Sequence, residues 1–404
     1  MLHKARNIYN EFPSHFWVLT GTSFIDRLGG ALIFPFFSLY LTQKFGVGMT
    51  EVGYLFLIFS CGSFFGNMLG GALTDKFGRK AVLLFGLMIS GLSSLAMGLI
   101  NDLTWFYALA ALVGLLGDVA GPAQQAMVAD LLPEGKRNEG FGILRVAVNL
   151  AFTIGPAIGG LMASRSYLLL FIADALSSLI TAAIAYALLP ETKPESSVEA
   201  KQENFVDTIK GYGGVLGDGI YMIFILFSIL GMMVYIQLNS SLAVYLRDIH
   251  NIPPQGFGYL LSMNALIVVV FQFWVSRKIS GKPPFLMMAV GMVFYTTGFA
   301  MFGFVSVYAL FVVAIVLITI GEMISMPTSQ AVTAQLAPEN MRGRYMAMFG
   351  LVWLIPMATA PLAAGLIMDN YNPNWVWYAC GIVGLLAVGG YLILQSLGSE
   401  RVTD

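Results

Sequence analysis

The chain has 404 residues, 57% hydrophobic and 11% charged, with a mean hydropathy of +0.78 and a net charge of -1. A soluble domain carries roughly 25% charged residues, so this composition excludes a soluble enzyme and implies a polytopic membrane protein. The near-neutral balance argues against a nucleic-acid partner, and Cys61 and Cys380, both inside apolar runs, read as packing residues rather than a disulfide framework.

A spanning helix needs about 20 mostly apolar residues. Six windows in the first half meet this, at about 16–42, 51–74, 81–101, 104–132, 140–164 and 167–190. Six more follow at about 218–246, 256–276, 284–303, 306–336, 345–368 and 374–397. The uncharged run from Pro283 to Gly321 is too long for one span and divides near Gly303–Ser306. Lys4 and Arg6 precede a first span that contains Asp26-Arg27 and lacks a small-residue cleavage site, so a removable leader is not expected. Residues 191–217 hold Glu191, Lys193, Glu195, Glu199, Lys201, Glu203, Asp207 and Lys210. This stretch reads as a cytoplasmic linker, with room for an amphipathic surface helix. It separates an N-terminal six-helix bundle, 1–190, from a C-terminal one, 218–404.

Lys and Arg placement sets the orientation. With both termini inside, the inner segments hold 16 of these residues and the outer segments only Lys44, Arg165 and Arg247. Both termini are therefore expected in the cytoplasm of a cell (inner) membrane. The halves also repeat at an offset of 205 residues. Tyr40-Leu41 returns as Tyr245-Leu246, and Gly53-Tyr54-Leu55 as Gly258-Tyr259-Leu260. Gly86 and Gly98 return as Gly291 and Gly303, and Pro156 and Gly160 as Pro361 and Gly365. Two parallel halves in so apolar a chain point to a transporter with its site between them.

Gly71-Ala72-Leu73-Thr74-Asp75-Lys76-Phe77-Gly78-Arg79-Lys80 joins the second and third windows. It resembles the signature loop of the major facilitator superfamily in its glycine spacing, acid and basic end. The second-half counterpart, Arg277 to Pro283, is degenerate, as is usual there. The resemblance spans nearly the whole chain and implies an all-α bundle of twelve transmembrane helices in two pseudo-symmetric halves. It also implies a conformational latch made of Gly71, Asp75, Gly78, Arg79 and Asp130; the bland reading is a static loop anchor. Gly155-Pro156-Ala157-Ile158-Gly159-Gly160 resembles the glycine-proline motif of the superfamily's antiporters. Small residues also serve simple close packing.

Ionisable residues within spans are costly, at about 2.5–3.5 kcal/mol each on insertion scales, and mark function by default. They are Asp26, Arg27, Asp118, Arg145, Asp174 and Glu322. Asp118 and Glu322 stand at nearly equivalent repeat positions, before Pro122 and Pro327. Both resemble the membrane acids of drug:proton antiporters, which share the pattern Gly321-Glu322…Pro327. Arg145 reads as their counter-ion, although many antiporters place that base one helix earlier. Asp26-Arg27 reads as a further coupling element or as a self-satisfying pair, and Asp174 as structural. Tyr235, Gln237, Asn239 and Asn264 offer hydrogen bonds to a mostly apolar substrate cavity.

The expected protein is a proton-coupled antiporter exporting lipophilic or cationic compounds. The bilayer, substrate and protons are its partners, the proton is its coupling ion, and a monomer suffices. No other cofactor or metal is expected, since the three histidines lack ligand spacing. The alternative is a symporter, facilitator or lipid transporter of the same fold. A membrane enzyme or receptor is disfavoured, because no HExxH, Gly-x-Ser-x-Gly or phosphate loop occurs.

Overall fold

The computed structural model describes residues 9, 11–117, 119–193, 213–338 and 341–398; Asp118 and most of the 191–217 linker lie outside the described residues. All regular structure among the described residues is helical, and twelve helices are long and apolar enough to cross a membrane. They are α1 Ser14–Phe45, α2 Met49–Phe77, α3 Arg79–Leu99, α4 Leu103–Leu131, α5 Glu134–Ala163 and α6 Tyr167–Leu188. The second half supplies α7 Gly219–Ser240, α8 Pro254–Ile279, α9 Pro284–Met301, α10 Tyr308–Leu336, α11 Arg342–Asn370 and α12 Asn374–Leu397. Large apolar side chains such as Phe65, Met68, Trp105 and Phe273 are exposed. In a multi-pass membrane protein these are the groups that lipid covers.

Local chemistry sets the breaks. Pro35 sits in a single 3₁₀ turn, Phe34–Phe36, that interrupts α1, and Gly46 ends that helix at φ 64. A left-handed residue at a helix end costs glycine nothing. Gly78 takes φ 98 and lets the chain turn between α2 and α3 within one residue. The long apolar run divides between Met301 and Tyr308, near the expected place. The seventh window, expected to reach 246, is instead Gly219–Ser240 followed after a turn by a short helix, Leu242–His250. Pro156 and Pro327 lie inside α5 and α10.

The chain forms two compact units. The first takes α1, α3 to α6 and α2 from Ile58 onward, together with Ile252–Ser262 from the start of α8. The second takes α7, α9 to α12 and the remainder of α8, together with Val47–Leu57 from the start of α2. Inside the first unit α1 packs on α5 and α6, and α3 on α4 and α6. Inside the second, α7 packs on α11 and α12, and α9 on α10 and α12. The pattern is the same when six is added to each number.

The repeat extends to single contacts. Tyr40 donates to the Met97 carbonyl at 2.6 Å, and Tyr245 to the Phe302 carbonyl at 3.0 Å, both pairs being 57 residues apart. Gly86 approaches Ala120 so closely that an added Cβ would lie 2.5 Å from the alanine methyl, and Gly291 stands likewise 2.2 Å from the Ser325 hydroxyl. These contacts are why the repeated tyrosines and glycines stand where they do: each marks a helix crossing that a larger or less polar residue would alter.

The start of α2 shows one departure from the repeat. Met49 and Thr50 donate their N–H groups to the Asp369 carboxylate at 2.9 and 2.7 Å. The position equivalent to Met49 is Pro254, which has no N–H to satisfy. Asp369 is thus a remote cap for this helix start. Asp369→Ala should lower stability by about 1 kcal/mol, the usual worth of a helix cap. Thermal unfolding in detergent measures it, and an unchanged midpoint would dismiss the capping role.

Candidate functional site

A cavity of about 370 Å³ lies inside the first unit. Its α1 wall includes Leu19, Thr22, Ser23, Asp26, Arg27 and Gly30, a three-and-four spacing that puts these six on one helix face, and Phe34 beyond them. The facing walls carry Ser90 of α3, Gln124 of α4, and Asp174 and Thr181 of α6. Asp26 accepts a hydrogen bond from Ser178 at 3.1 Å, and the Ser178 hydroxyl lies 3.3 Å from that of Ser90. Gln124 donates to the Ser23 hydroxyl. Gly29 explains how α6 comes so near: a Cβ there would fall 2.6 Å from an Asp174 carboxylate oxygen. The small residue therefore places Asp174 against α1 within one turn of Asp26. Asp174 is buried and lines the cavity, which gives it a place in the candidate site beyond the structural role that its sequence position implied.

Asp26 and Arg27 do not satisfy each other. No ion pair joins them, and Arg27, exposed on the cavity wall, has no hydrogen bond or ion pair among the described residues. Arg145 lies exposed on α5 and is not without a partner.

In the second unit Glu322 of α10 accepts hydrogen bonds from the Tyr235 hydroxyl of α7 at 3.2 Å and from the Asn264 amide of α8 at 3.0 Å. Asn264 also donates to Thr319, one turn before the acid, at 2.8 Å. Both of these partners of the carboxylate are neutral. A small cavity of about 40 Å³ adjoins Tyr235, lined by Met232, Met288, Met292, Tyr295 and Ser325. It has space for a few water molecules, at about 10–15 Å³ apiece. The Tyr295 and Ser325 hydroxyls are buried there without a hydrogen-bond partner among the described residues.

The residues expected at a substrate cavity thus divide. Tyr235 and Asn264 hold the acid. Gln237 is buried and used in packing: it donates to the Ala360 carbonyl of α11 at 2.9 Å and accepts from Ser241 at 2.6 Å. Asn239 is half-buried on the same helix.

The signature loop closes on itself within the first unit. Arg79 donates from Nε to Asp130 at 2.9 Å and stands 3.6 Å from Asp75. Gly71 faces open space, whereas a Cβ on Gly78 would strike the Glu191 carboxylate at 2.4 Å. Glu191 accepts from the backbone N–H groups of Arg79 at 2.8 Å and Lys80 at 3.2 Å, and so caps the start of α3. It also accepts from Thr192 and Lys193. Partial burial raises its pKa, but the four N–H donors outweigh that and hold the carboxyl below the usual range. Glu191 was legible only as linker charge.

The glycine-proline motif also packs within this unit. A Cβ on Gly155 would lie 2.5 Å from the Ala31 methyl, and one on Gly159 2.6 Å from the Leu32 carbonyl. One on Gly160 would meet the Pro254 carbonyl at 3.0 Å. The motif thus lets α5 contact α1 on one side and the start of α8 on the other. Among the described residues no group of three His, Cys, Asp or Glu could hold a metal ion.

Comparison with known proteins fits this architecture. The family model described as the Major Facilitator Superfamily matches residues 19–360 and 285–401. A "Na(+), Li(+), K(+)/H(+) antiporter" of Planococcus maritimus is 27% identical over 92% of this chain and 93% of its own length. "Multidrug resistance protein 2" of Bacillus subtilis is 26% identical over 68% of each chain. Among solved structures, a bacterial homolog of the human lysosomal transporter Spinster, inward-facing and unoccupied, superposes with a TM-score of 0.78. That likeness covers 96% of this chain and 97% of the other at 13% identity, and it bears on the fold alone. Twelve apolar helices, a duplicated packing scheme and a family match across nearly the whole chain lead to one conclusion: this chain belongs to the Major Facilitator Superfamily of transporters.

Proposed function

We propose that the protein is a proton-coupled antiporter of the cell membrane, with both termini cytoplasmic, which exports lipophilic or cationic compounds by alternating access. The observation that carries this reading is the setting of Glu322. An acid at membrane depth is expensive unless it is paired or functional, and here the hydrogen bonds to it come from a phenol and an amide, both neutral. Such a group can take up and give back a proton without first breaking an ion pair. Arriving cargo of positive charge favours its ionised form and so promotes proton release. In this reading the loop around Arg79 is the latch that steadies one state of the cycle, and Arg145 and the acids of α1 and α4 serve the proton route.

A second reading is exchange of an alkali cation for protons. It is favoured by the Asp26 and Asp174 carboxylates, which share a cavity with hydroxyls, the oxygen ligands that hard cations take. It also fits the similarity to the Planococcus maritimus protein.

One experiment separates them. Inverted vesicles containing the protein are given an inward proton gradient, and a pH-sensitive dye reports its collapse. Addition of lipophilic cationic dyes should dissipate the gradient, and an uncoupler should stop their transport. A response to Na⁺, Li⁺ or K⁺ alone would favour the second reading, and no response to dyes, alkali cations or a zwitterionic amino acid would remove proton antiport.

A further inference from the structure

We propose that the cavity of the first unit is a binding pocket for a small organic zwitterion, whose carboxylate docks on Arg27 and whose ammonium group meets Asp26 and Asp174. This goes beyond the cargo named above and rests on the transport reading only: it assigns a second class of cargo, one that carries both charges.

Arg27 is the starting point. A guanidinium is always charged and offers five donors in a planar fork suited to a carboxylate. At membrane depth such a group is normally paired. Arg27 has neither ion pair nor hydrogen bond among the described residues, yet an acid is its neighbour in sequence and lines the same wall. Asp26 is turned instead toward Ser178, and Asp174 is brought beside it by the bare backbone of Gly29. The pocket therefore presents a guanidinium that feels the nearby Asp26 charge but, among the described residues, forms no ion pair or hydrogen bond with either acid.

A ligand with one charge answers only part of this arrangement. A simple cation would meet the acids but also the bare guanidinium. A simple anion would face two carboxylates. A molecule with one charge of each sign completes both, and a bidentate carboxylate on Arg27 adds charge-assisted hydrogen bonds. The volume of about 370 Å³ falls in the range of small-molecule sites, about 300–1,000 Å³. The rest of the lining includes Leu19, Phe34, Phe59, Val113 and Phe152, which suits an aryl or alkyl body.

The test is equilibrium binding to purified full-length protein in detergent, with no gradient. Three radiolabelled probes of like size differ only in charge: phenylalanine, phenylalanine amide and 3-phenylpropionate. Phenylalanine should bind at least about tenfold tighter than either analogue. Arg27→Gln should erase its advantage over the amide by weakening phenylalanine binding, with amide binding no weaker than before, and Arg27→Lys should restore part of it. Asp174→Asn should erase the advantage over phenylpropionate. Equal binding of phenylalanine and its amide, binding of none of the three, or an advantage that survives Arg27→Gln would overturn the assignment. Because no proton gradient is involved, the result is independent of coupling. Loss of discrimination with gradient-driven transport intact would remove the cargo class alone, and the converse would remove the antiport reading alone.

Discussion

Glu322→Gln should abolish pH-gradient-driven transport, by at least about a hundredfold, the usual scale for removing a required proton-transfer group. The protein should still fold. A glutamine fits the same space, its carbonyl can accept from Asn264, and its amide can donate to the Tyr235 oxygen, so both hydrogen bonds survive. What disappears is the change of charge. Proteoliposomes with an imposed pH gradient measure the loss, and thermal unfolding of the same preparation measures the fold. Exchange of labelled for unlabelled cargo without a gradient should continue, because it needs no net proton movement. A variant that still drives transport from the gradient would take Glu322 out of the coupling mechanism. Loss of both exchange and folding would make it a structural acid.

The fold was largely legible, for a physical reason. In a bilayer every backbone polar group must be satisfied inside its own segment, so apolar length announces each helix. The duplication then fixed much of the packing, and Tyr40 and Tyr245 make the same bond in each half. The site was only partly legible. Apolar spans give little sign of which face is wet, so Asp174 looked like scaffold until Gly29 showed how α6 meets α1. Gln237 looked like a cavity residue because its partner, the Ala360 carbonyl, is 123 positions away. Glu191 read as linker charge and Asp369 drew no reading, yet each caps a distant helix start. Backbone N–H groups are invisible in a sequence, and their side-chain partners look unremarkable until the chain is folded. Asp118 lies outside the described residues, so its pairing with Glu322 rests on the repeat alone.

The signature loop gives the second large effect. Arg79→Ala should slow transport on the order of tenfold or more, as expected when a conformational step rather than binding is impaired. Asp75→Asn should slow cycling to a smaller extent, with substrate binding retained. The contrast follows from the geometry. The Arg79 side chain is 13% exposed and bonded to Asp130 at 2.9 Å, whereas Asp75 is 82% exposed and 3.6 Å from the same guanidinium. Removing Arg79 strips Asp130 of a charged donor and costs about 1.5–3 kcal/mol locally, the worth of a hydrogen bond to a charged group. Glu191 does not depend on that side chain, since it holds the backbone N–H groups of Arg79 and Lys80. The start of α3 therefore stays capped in Arg79→Ala, and the loss falls on the link between α3 and α4. Initial transport rates and equilibrium cargo binding, measured on the same three proteins, resolve the two contributions. Binding lost in Asp75→Asn, or a wild-type rate in Arg79→Ala, would reduce the loop from a latch to an anchor.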